Sequence, residues 1–429
     1  MDWQDLWDWI YKKENRDLVT WILSGIAALV IAAWAFYKWR KQHPLPGVTT
    51  DRVVDIPTGP PDTPKLSNFG IVPSMPSLVF GREDDARALK TRLGIVGLGQ
   101  QTQPMQRETV IRGLPGVGKT TLVATLAHDD QVNATFPDGV LWISLGPEAH
   151  LESALMTWGR ALGISGIEQE KTAEDLARRL SSTLQKKRML LLVDDVWDSA
   201  HGQQFKVGGE HCAIFFTTRE TKIAEDLAPR PEKDIYYLDK LSDDQALALL
   251  KKLAPQVVTN HPEECLTMVK ELEGLPLSLQ VAGRLLNAEY TRGFSVTDLL
   301  AELKEGVKIL QAEPPPNRPG ISYADKAMIT VTVLLEKTTE RLKPETRERF
   351  ARLGPFAPKP ATFELNDLQY CWKLETPEDT NLKDTVRELI DRGLLESVDF
   401  QGQPLYQMHA LLVAHANDLL NTLGAVESG

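Results

Sequence analysis

Apolar positions along the chain fall into three regimes. From residue 18 to residue 37, twenty consecutive positions carry no charge, enough for a helix to cross a hydrocarbon core. Between residues 79 and 233, short apolar runs at 109–111, 140–144, 189–193 and 213–217 alternate with helical patterns. Apolar runs of that length, lacking in/out alternation, predict strands buried on both faces; the interleaved helices predict βαβ units and a parallel sheet. Beyond 234 the apolar spacing is helical. "LSDDQALALLKKLA" opens with Ser242 at a capping position, and "AEPPPNRPG" (312–320) interrupts the pattern. After Ile321, helical stretches lead into "LLESVDFQGQPLYQMH", where Gly402 and Pro404 punctuate two short strands.

The charge-free segment has membrane-like flanks. Trp21 lies towards one end, and Trp34, Phe36, Tyr37 and Trp39 towards the other, as in interfacial aromatic belts. The region before it is net acidic and no small-residue cleavage site follows, which argues against a signal peptide. Lys38, Arg40 and Lys41 come directly after it, so the positive-inside rule predicts a single-pass protein with its N-terminus outside and its body in the cytoplasm. Trp3, Leu6, Trp7 and Ile10 recur at helical spacing, either as a short interfacial helix or as a plain extension of the anchor. The expected organisation is a membrane segment over 1–41, a Pro-rich linker over 42–78, a nucleotide-binding domain over 79–233, a helical domain over 234–315 and a C-terminal domain over 316–429. The linker would reach about 110 Å if fully extended.

"GLPGVGKTT" supplies the first chemistry. Gly113, Gly118, Lys119 and Thr120 fit G-x-x-x-x-G-K-[ST] between a β-branched run and a helix-forming run, the context a phosphate-binding loop requires. Gly113, Gly116, Val117 and Gly118 would aim backbone N–H groups at phosphate oxygens, with Thr121 in the same helix start. Lys119 adds a cation near the β- and γ-phosphates, and the Thr120 hydroxyl is placed to ligate Mg²⁺. In "MLLLVDDVWD" a fully apolar strand ends in Asp194 and Asp195, at the sheet edge where α/β proteins bind ligands. Asp194 would hold the Mg²⁺ through water, and Asp195 would orient or deprotonate the attacking water. Arg219, at the end of "AIFFTTRE", would reach the γ-phosphate and report its presence; its duller reading is a surface ion pair. Lys119, Asp195 and Arg219 are thus the candidate catalytic residues, for hydrolysis of a nucleotide bound with Mg²⁺.

Composition narrows the partners. The net charge is −11, and residues 316–429 hold 13 Lys+Arg against 17 Asp+Glu, so a DNA-reading face is not expected. Cys212, Cys265 and Cys371 have no paired spacing and read as reduced thiols.

In order, "VFGRE" (79–83), "GLPGVGKTT", "LLLVDDVWD", "FTTR", "GLPLSL" (274–279) and "YQMHALLVAHA" resemble the NB-ARC (STAND) class of signalling ATPases, which includes plant disease-resistance proteins and animal apoptotic protease-activating factors. The resemblance covers residues 79 to about 420. It implies an α/β P-loop domain, a helical domain and a winged-helix domain that close around ADP and open with ATP, usually to build a ring-like oligomer. It also implies that Arg82 approaches the adenine end, Pro276 packs against the base and His409 contacts the β-phosphate. Without it, Gly81-Arg82-Glu83 reads as a helix start, Gly274-Leu275-Pro276-Leu277 as a turn, and His409 as the exposed neighbour of core residues. The family's "MH" pair is usually followed by Asp, whereas Ala410 stands here. The usual repeat array that senses a trigger has no counterpart in the sequence, which leaves sensing to a separate protein or to a missing part of the chain.

These readings converge on a membrane-tethered ATP/ADP switch whose ATP-driven self-association clusters its N-terminal segment among membrane lipids, suited to a defence or cell-death effector. The alternatives are a signalling or transcriptional regulator anchored by the span, and a non-hydrolysing ADP-bound scaffold.

Overall fold

A computed structural model describes residues 72–95, 104–302 apart from 294, 296 and 300, 323–359, 361–374, 380–400 and 403–427. The expected membrane segment and most of the Pro-rich linker lie outside these residues. Among the described residues, no helix is long and apolar enough to cross a membrane.

Among the described residues the first element is helix α1 (Glu83–Arg92), which precedes strand β1 (Glu108–Arg112). The phosphate loop joins β1 to α2 (Lys119–Ala127), and β2 (Val140–Ser144) follows. Helices α3 (Leu151–Ala161) and α4 (Ala173–Leu184) lead to β3 (Leu190–Asp194) and β4 (Ala213–Thr218). Helix α5 (Thr221–Leu227) then precedes β5 (Ile235–Tyr237). All neighbouring strands are parallel, in the order β2-β3-β4-β1-β5. The predicted strands are therefore present, and β5 adds a fifth by pairing Val110–Arg112 with Ile235–Tyr237. It lies past residue 233, where the sequence pattern turns from sheet to helix, because three residues are too short to show a period.

Strand side chains alternate between two cores. Ile111, Trp142, Leu190, Leu192 and Phe215 pack with Leu89 and Leu122 on one face. Val110, Leu141, Leu191, Val193, Ile214 and Phe216 pack with Trp158, Leu176 and Leu180 on the other. Both faces being buried is why these strands read as unbroken apolar runs. Trp158 donates its indole N–H to the Trp142 carbonyl at 2.9 Å, satisfying the polar atom such burial would otherwise strand.

The sheet gives way to α6 (Asp243–Leu253), α7 (Pro255–Asn260), α8 (Pro262–Glu271) and α9 (Pro276–Thr291). Ser242 caps α6 as expected, accepting the Gln245 N–H while the Gln245 side chain accepts the Ser242 N–H. Three of these helices open on Pro255, Pro262 and Pro276, where a missing N–H costs nothing. Helices α10 (Tyr323–Glu340), α11 (Pro344–Ala351), α12 (Leu365–Cys371) and α13 (Thr380–Asp391) precede an antiparallel hairpin, β6 (Glu396–Phe400) and β7 (Gln403–Gln407). Helix α14 (Ala410–Glu427) closes the described chain. One core spans this whole half, from Leu249, Leu285 and Leu286 to Leu334, Phe350, Leu389, Met408 and Leu412. Cys212, Cys265 and Cys371 are free thiols.

Candidate nucleotide site

A cleft of about 750 Å³ opens at the C-terminal ends of the strands, and the segments that wall it are far apart in sequence. Gly116, Gly118, Lys119, Thr120 and Thr121 of the phosphate loop and α2, Asp194 and Asp195 at the end of β3, Arg219 after β4, Pro276 at the start of α9, and His409 with Ala410 after β7 all line it. The structure thus gathers most of the predicted site residues. Gly113, Val117 and Arg82 stand behind the lining and shape it.

The loop's curvature depends on its glycines. A Cβ on Gly113 would come within 2.6 Å of the Leu238 carbonyl oxygen, a backbone atom. Gly118 caps α2 at φ 100°, a conformation L residues rarely adopt. Arg82, expected near the adenine, is buried and donates to the Val117 carbonyl at 2.8 Å. It also pairs with Asp85 at 3.0 Å, and Asp85 accepts the Tyr236 hydroxyl at 2.6 Å. Arg82 therefore braces the loop from outside the cleft.

Lys119 is buried and donates to the Gly113 and Leu114 carbonyls at 2.9 and 3.0 Å. Burial, reinforced by the nearby Arg219 cation and opposed by Asp194 and Asp195, pulls its pKa down to about 8. The cation is thus held among neutral carbonyls until an anion arrives. Asp194 is also buried and accepts the Thr217 hydroxyl at 2.5 Å and the Thr120 hydroxyl at 2.9 Å. Burial pushes its carboxyl up to about 6, with Asp195 adding to the shift and the two threonines and Lys119 opposing it.

The adjacent oxygens of Thr120 and Asp194 suit a small hard cation that keeps its remaining ligands as water and phosphate. They are the residues that would hold Mg²⁺, which would supply charge neutralisation to the phosphates of a bound nucleotide.

Asp195 adopts φ 53°, a sparsely populated region for a non-glycine residue. Its backbone is clamped in that shape, the N–H donating to the Thr217 hydroxyl at 2.9 Å and the carbonyl accepting the Gly146 N–H at 3.1 Å. The carboxylate accepts the Trp197 indole N–H at 3.0 Å and lies 3.4 Å from Arg219 Nε. Arg219, expected at the γ-phosphate, lines the cleft while paired with Asp195.

His409 lines the cleft. Its Nδ1 accepts the Leu411 N–H at 3.2 Å, so the neutral ring carries its hydrogen on Nε2, where it can donate. Burial, followed by the Lys359, Arg219 and Lys119 cations, drives its pKa from 6.5 to about 3. The folded state thus disfavours the imidazolium. As pH falls through 6.5 the unfolded chain takes up a proton that folded His409 refuses, so stability drops down towards pH 3; above pH 7 the residue contributes no pH dependence. The melting temperature of the wild type is expected to fall more steeply between pH 7 and pH 5 than that of His409→Ala. Parallel slopes would mean that His409 titrates freely in the folded protein.

The sequence pattern gave no role to several wall residues. Val72, Pro73, Ser74, Pro76, Ser77 and Leu78, at the end of the Pro-rich stretch, line the cleft, and the Pro73 carbonyl contacts His128 Nε2 at 2.7 Å. Their signal was the apolar content of "IVPSMPSLVF", masked by its prolines. Lys359 and Glu396, an ion pair at 2.5 Å, also reach the cleft, and spacing offers no signal for a pair so far apart.

Residues 99–259 match the NB-ARC domain model. The chain carries an NB-ARC domain. Regulatory protein AfsR of Streptomyces coelicolor is 28% identical over 351 residues, which is 80% of this chain and 32% of that protein. A probable disease resistance protein of Arabidopsis thaliana is 24% identical over 310 residues, 70% of this chain and 33% of that one. Apoptotic protease-activating factor 1 of Danio rerio is 23% identical over 373 residues, 83% of this chain and 28% of that one. The chain spans about a third of the length of these relatives. The NB-ARC match and the parallel sheet behind the phosphate loop agree with the sequence-based assignment to the P-loop class.

Proposed function

We propose that this NB-ARC protein is a nucleotide-operated signalling switch. It holds ADP in a closed form and exchanges it for ATP with Mg²⁺. In the ATP form it self-associates, gathering its N-terminal segments in a membrane. The observation that carries this reading is the composition of the cleft: the phosphate loop, the start of α9 and His409 after β7 share one cavity. A nucleotide there touches segments on both sides of the sheet–helix division, so its phosphate count can govern how they sit. In this reading residues 316–429 form a winged-helix domain, with α11 to α13 followed by the β6–β7 hairpin as its wing. Turnover resets the switch. Water attacks the γ-phosphorus, the bond to the bridging oxygen breaks, ADP leaves and the water's proton ends on the released phosphate. Asp195 orients the water, and Lys119 and Arg219 face the charge that develops.

The 28% identity with a regulatory protein over 80% of the chain favours a second reading, a signalling or transcriptional regulator. The net negative charge of residues 316–429 weighs against direct DNA reading. The separating experiment uses the full chain in detergent and in sealed cells. Exchange of ADP for ATP is expected to raise its particle size several-fold, and protease added outside the cells is expected to leave the body intact. Overexpression is expected to release a trapped dye. An unchanged particle size on exchange removes the assembly, and assembly without leakage, with digestion of the body from outside, removes the membrane role.

A further inference from the structure

Trp197 follows the two aspartates of "LLLVDDVWD" and is 40% exposed. It does not line the cleft, yet it touches both residues placed at the γ-phosphate. Its indole N–H donates to Asp195 Oδ2 at 3.0 Å. Its ring carries the Arg219 guanidinium 4.9 Å above the centroid, within range of a cation–π contact. Arg219 Nε closes the triangle 3.4 Å from Asp195 Oδ1. Each of the three side chains thus meets the other two. The Asp195 backbone is fixed by Thr217 and Gly146, which leaves the carboxylate only side-chain rotation. Its two oxygens are therefore differently engaged: Oδ2 by an uncharged donor that faces no phosphate, and Oδ1 by a cation that does.

We infer that Trp197 is a positioning residue: it anchors Oδ2 of Asp195 and holds Arg219 on its ring until the γ-phosphate of ATP draws the guanidinium away. The inference rests on the switch reading, in which Arg219 answers to the γ-phosphate. With ADP nothing competes for Arg219, and Oδ1 stays covered. With ATP, the doubly charged terminal phosphate outcompetes one carboxylate oxygen plus an aromatic face. Oδ1 is then uncovered towards the attacking water while Oδ2 keeps its tether, so the carboxylate presents one oxygen in a fixed direction. The latch ties the water-orienting group to the presence of the phosphate it acts on.

The test uses the full chain and two variants, Trp197→Phe and Arg219→Ala. Trp197→Phe keeps an aromatic face for Arg219 and removes only the N–H, at a site exposed enough to tolerate the change. It is expected to bind ADP and a non-hydrolysable ATP analogue within twofold of the wild type and to turn ATP over at least tenfold more slowly at saturation. A residue that merely supported the fold would weaken binding as well. The second readout is tryptophan emission. In the wild type the analogue and ADP are expected to give different emission, and that difference is expected to vanish in both variants, one lacking the reporter and the other the cation that leaves it. Turnover by Trp197→Phe within twofold of the wild type removes the anchoring of Asp195. A difference that persists in Trp197→Phe removes the latch. If the wild type binds nucleotide without turnover, the emission arm decides alone. If it binds neither nucleotide, the switch reading falls and takes this inference with it. Normal turnover by Arg219→Ala with slowed Trp197→Phe overturns the phosphate-sensing role of Arg219 and leaves the anchor standing.

Discussion

Lys119→Ala is expected to abolish nucleotide binding, whereas Asp195→Asn keeps it and loses turnover. Lys119 is buried among carbonyls with its pKa drawn down to about 8, so the folded loop already holds a desolvated cation in place for an anion. Hydrogen bonds from such a cation to phosphate are each worth roughly 1.5–3 kcal/mol. Losing two of them lowers affinity on the order of a hundred- to ten-thousand-fold. Arg219 does not replace it: with ADP it stays engaged with Asp195 and Trp197, and with ATP it answers to the γ-phosphate alone. In the proposed switch Asp195 meets the nucleotide only through water, so its amide analogue is expected to leave the phosphate contacts intact. Loss of a positioned water-orienting carboxylate costs on the order of 10²–10⁴ in rate. Titration with a fluorescent nucleotide and phosphate-release rates separate the two effects. Comparable loss of binding in both variants would show that Asp195 helps to hold the nucleotide, and the division of labour would be wrong.

Much of the sheet domain was legible because its signals are local. The run 140–144 is bounded by polar turns and folds as the strand it reads as, and the phosphate loop's glycines announce a backbone shape that few other residues can adopt. The placement of Asp194 at a strand end followed from a single apolar run. Legibility stops where meaning depends on contacts distant in sequence. Ile235–Tyr237 forms a strand only because β1 offers it an edge, and nothing in three residues encodes that edge. Arg82 reads as a residue near the nucleotide through family likeness, but its guanidinium turns to the Val117 carbonyl and Asp85, a choice made by the packing of α1 under the loop. His409 could be placed at the phosphates only by the order of motifs, since 290 residues separate it from Lys119 and periodicity carries no such range. Trp197 had no role at all in the sequence reading. An aromatic after two aspartates is ordinary, and its engagement of Asp195 and Arg219 exists only once β3 and β4 lie side by side.

Arg392→Ala is expected to cost about 3–5 kcal/mol of stability, the usual penalty for stripping one partner from a buried ion pair. Arg392 follows α13 and is only 1% exposed. Its guanidinium lies 3.1 Å from Glu289 on α9 and 3.7 Å from Glu388, and it also donates to the Arg341 carbonyl at 3.1 Å. Glu289 is buried too, and Arg292 joins Glu388 at 3.2 Å. The seam between the helices that follow the sheet and the C-terminal helices is therefore ionic inside a shared apolar core. Burial lowers the Arg392 pKa, with Arg292 adding to the shift and Glu289 and Glu388 opposing it. Removing the guanidinium leaves Glu289 desolvated with, among the described residues, only Arg292 and Arg341 near it, at 3.8 and 4.0 Å. Replacing the pair together, Arg392→Met with Glu289→Leu, removes the stranded charge and fills the space, so the double variant is expected to recover most of the loss. Urea titration of the wild type, both single variants and the double variant measures the coupling. A cost below 1 kcal/mol for Arg392→Ala would mean that water reaches the seam and that the ion pair joins these helices no more firmly than a surface contact.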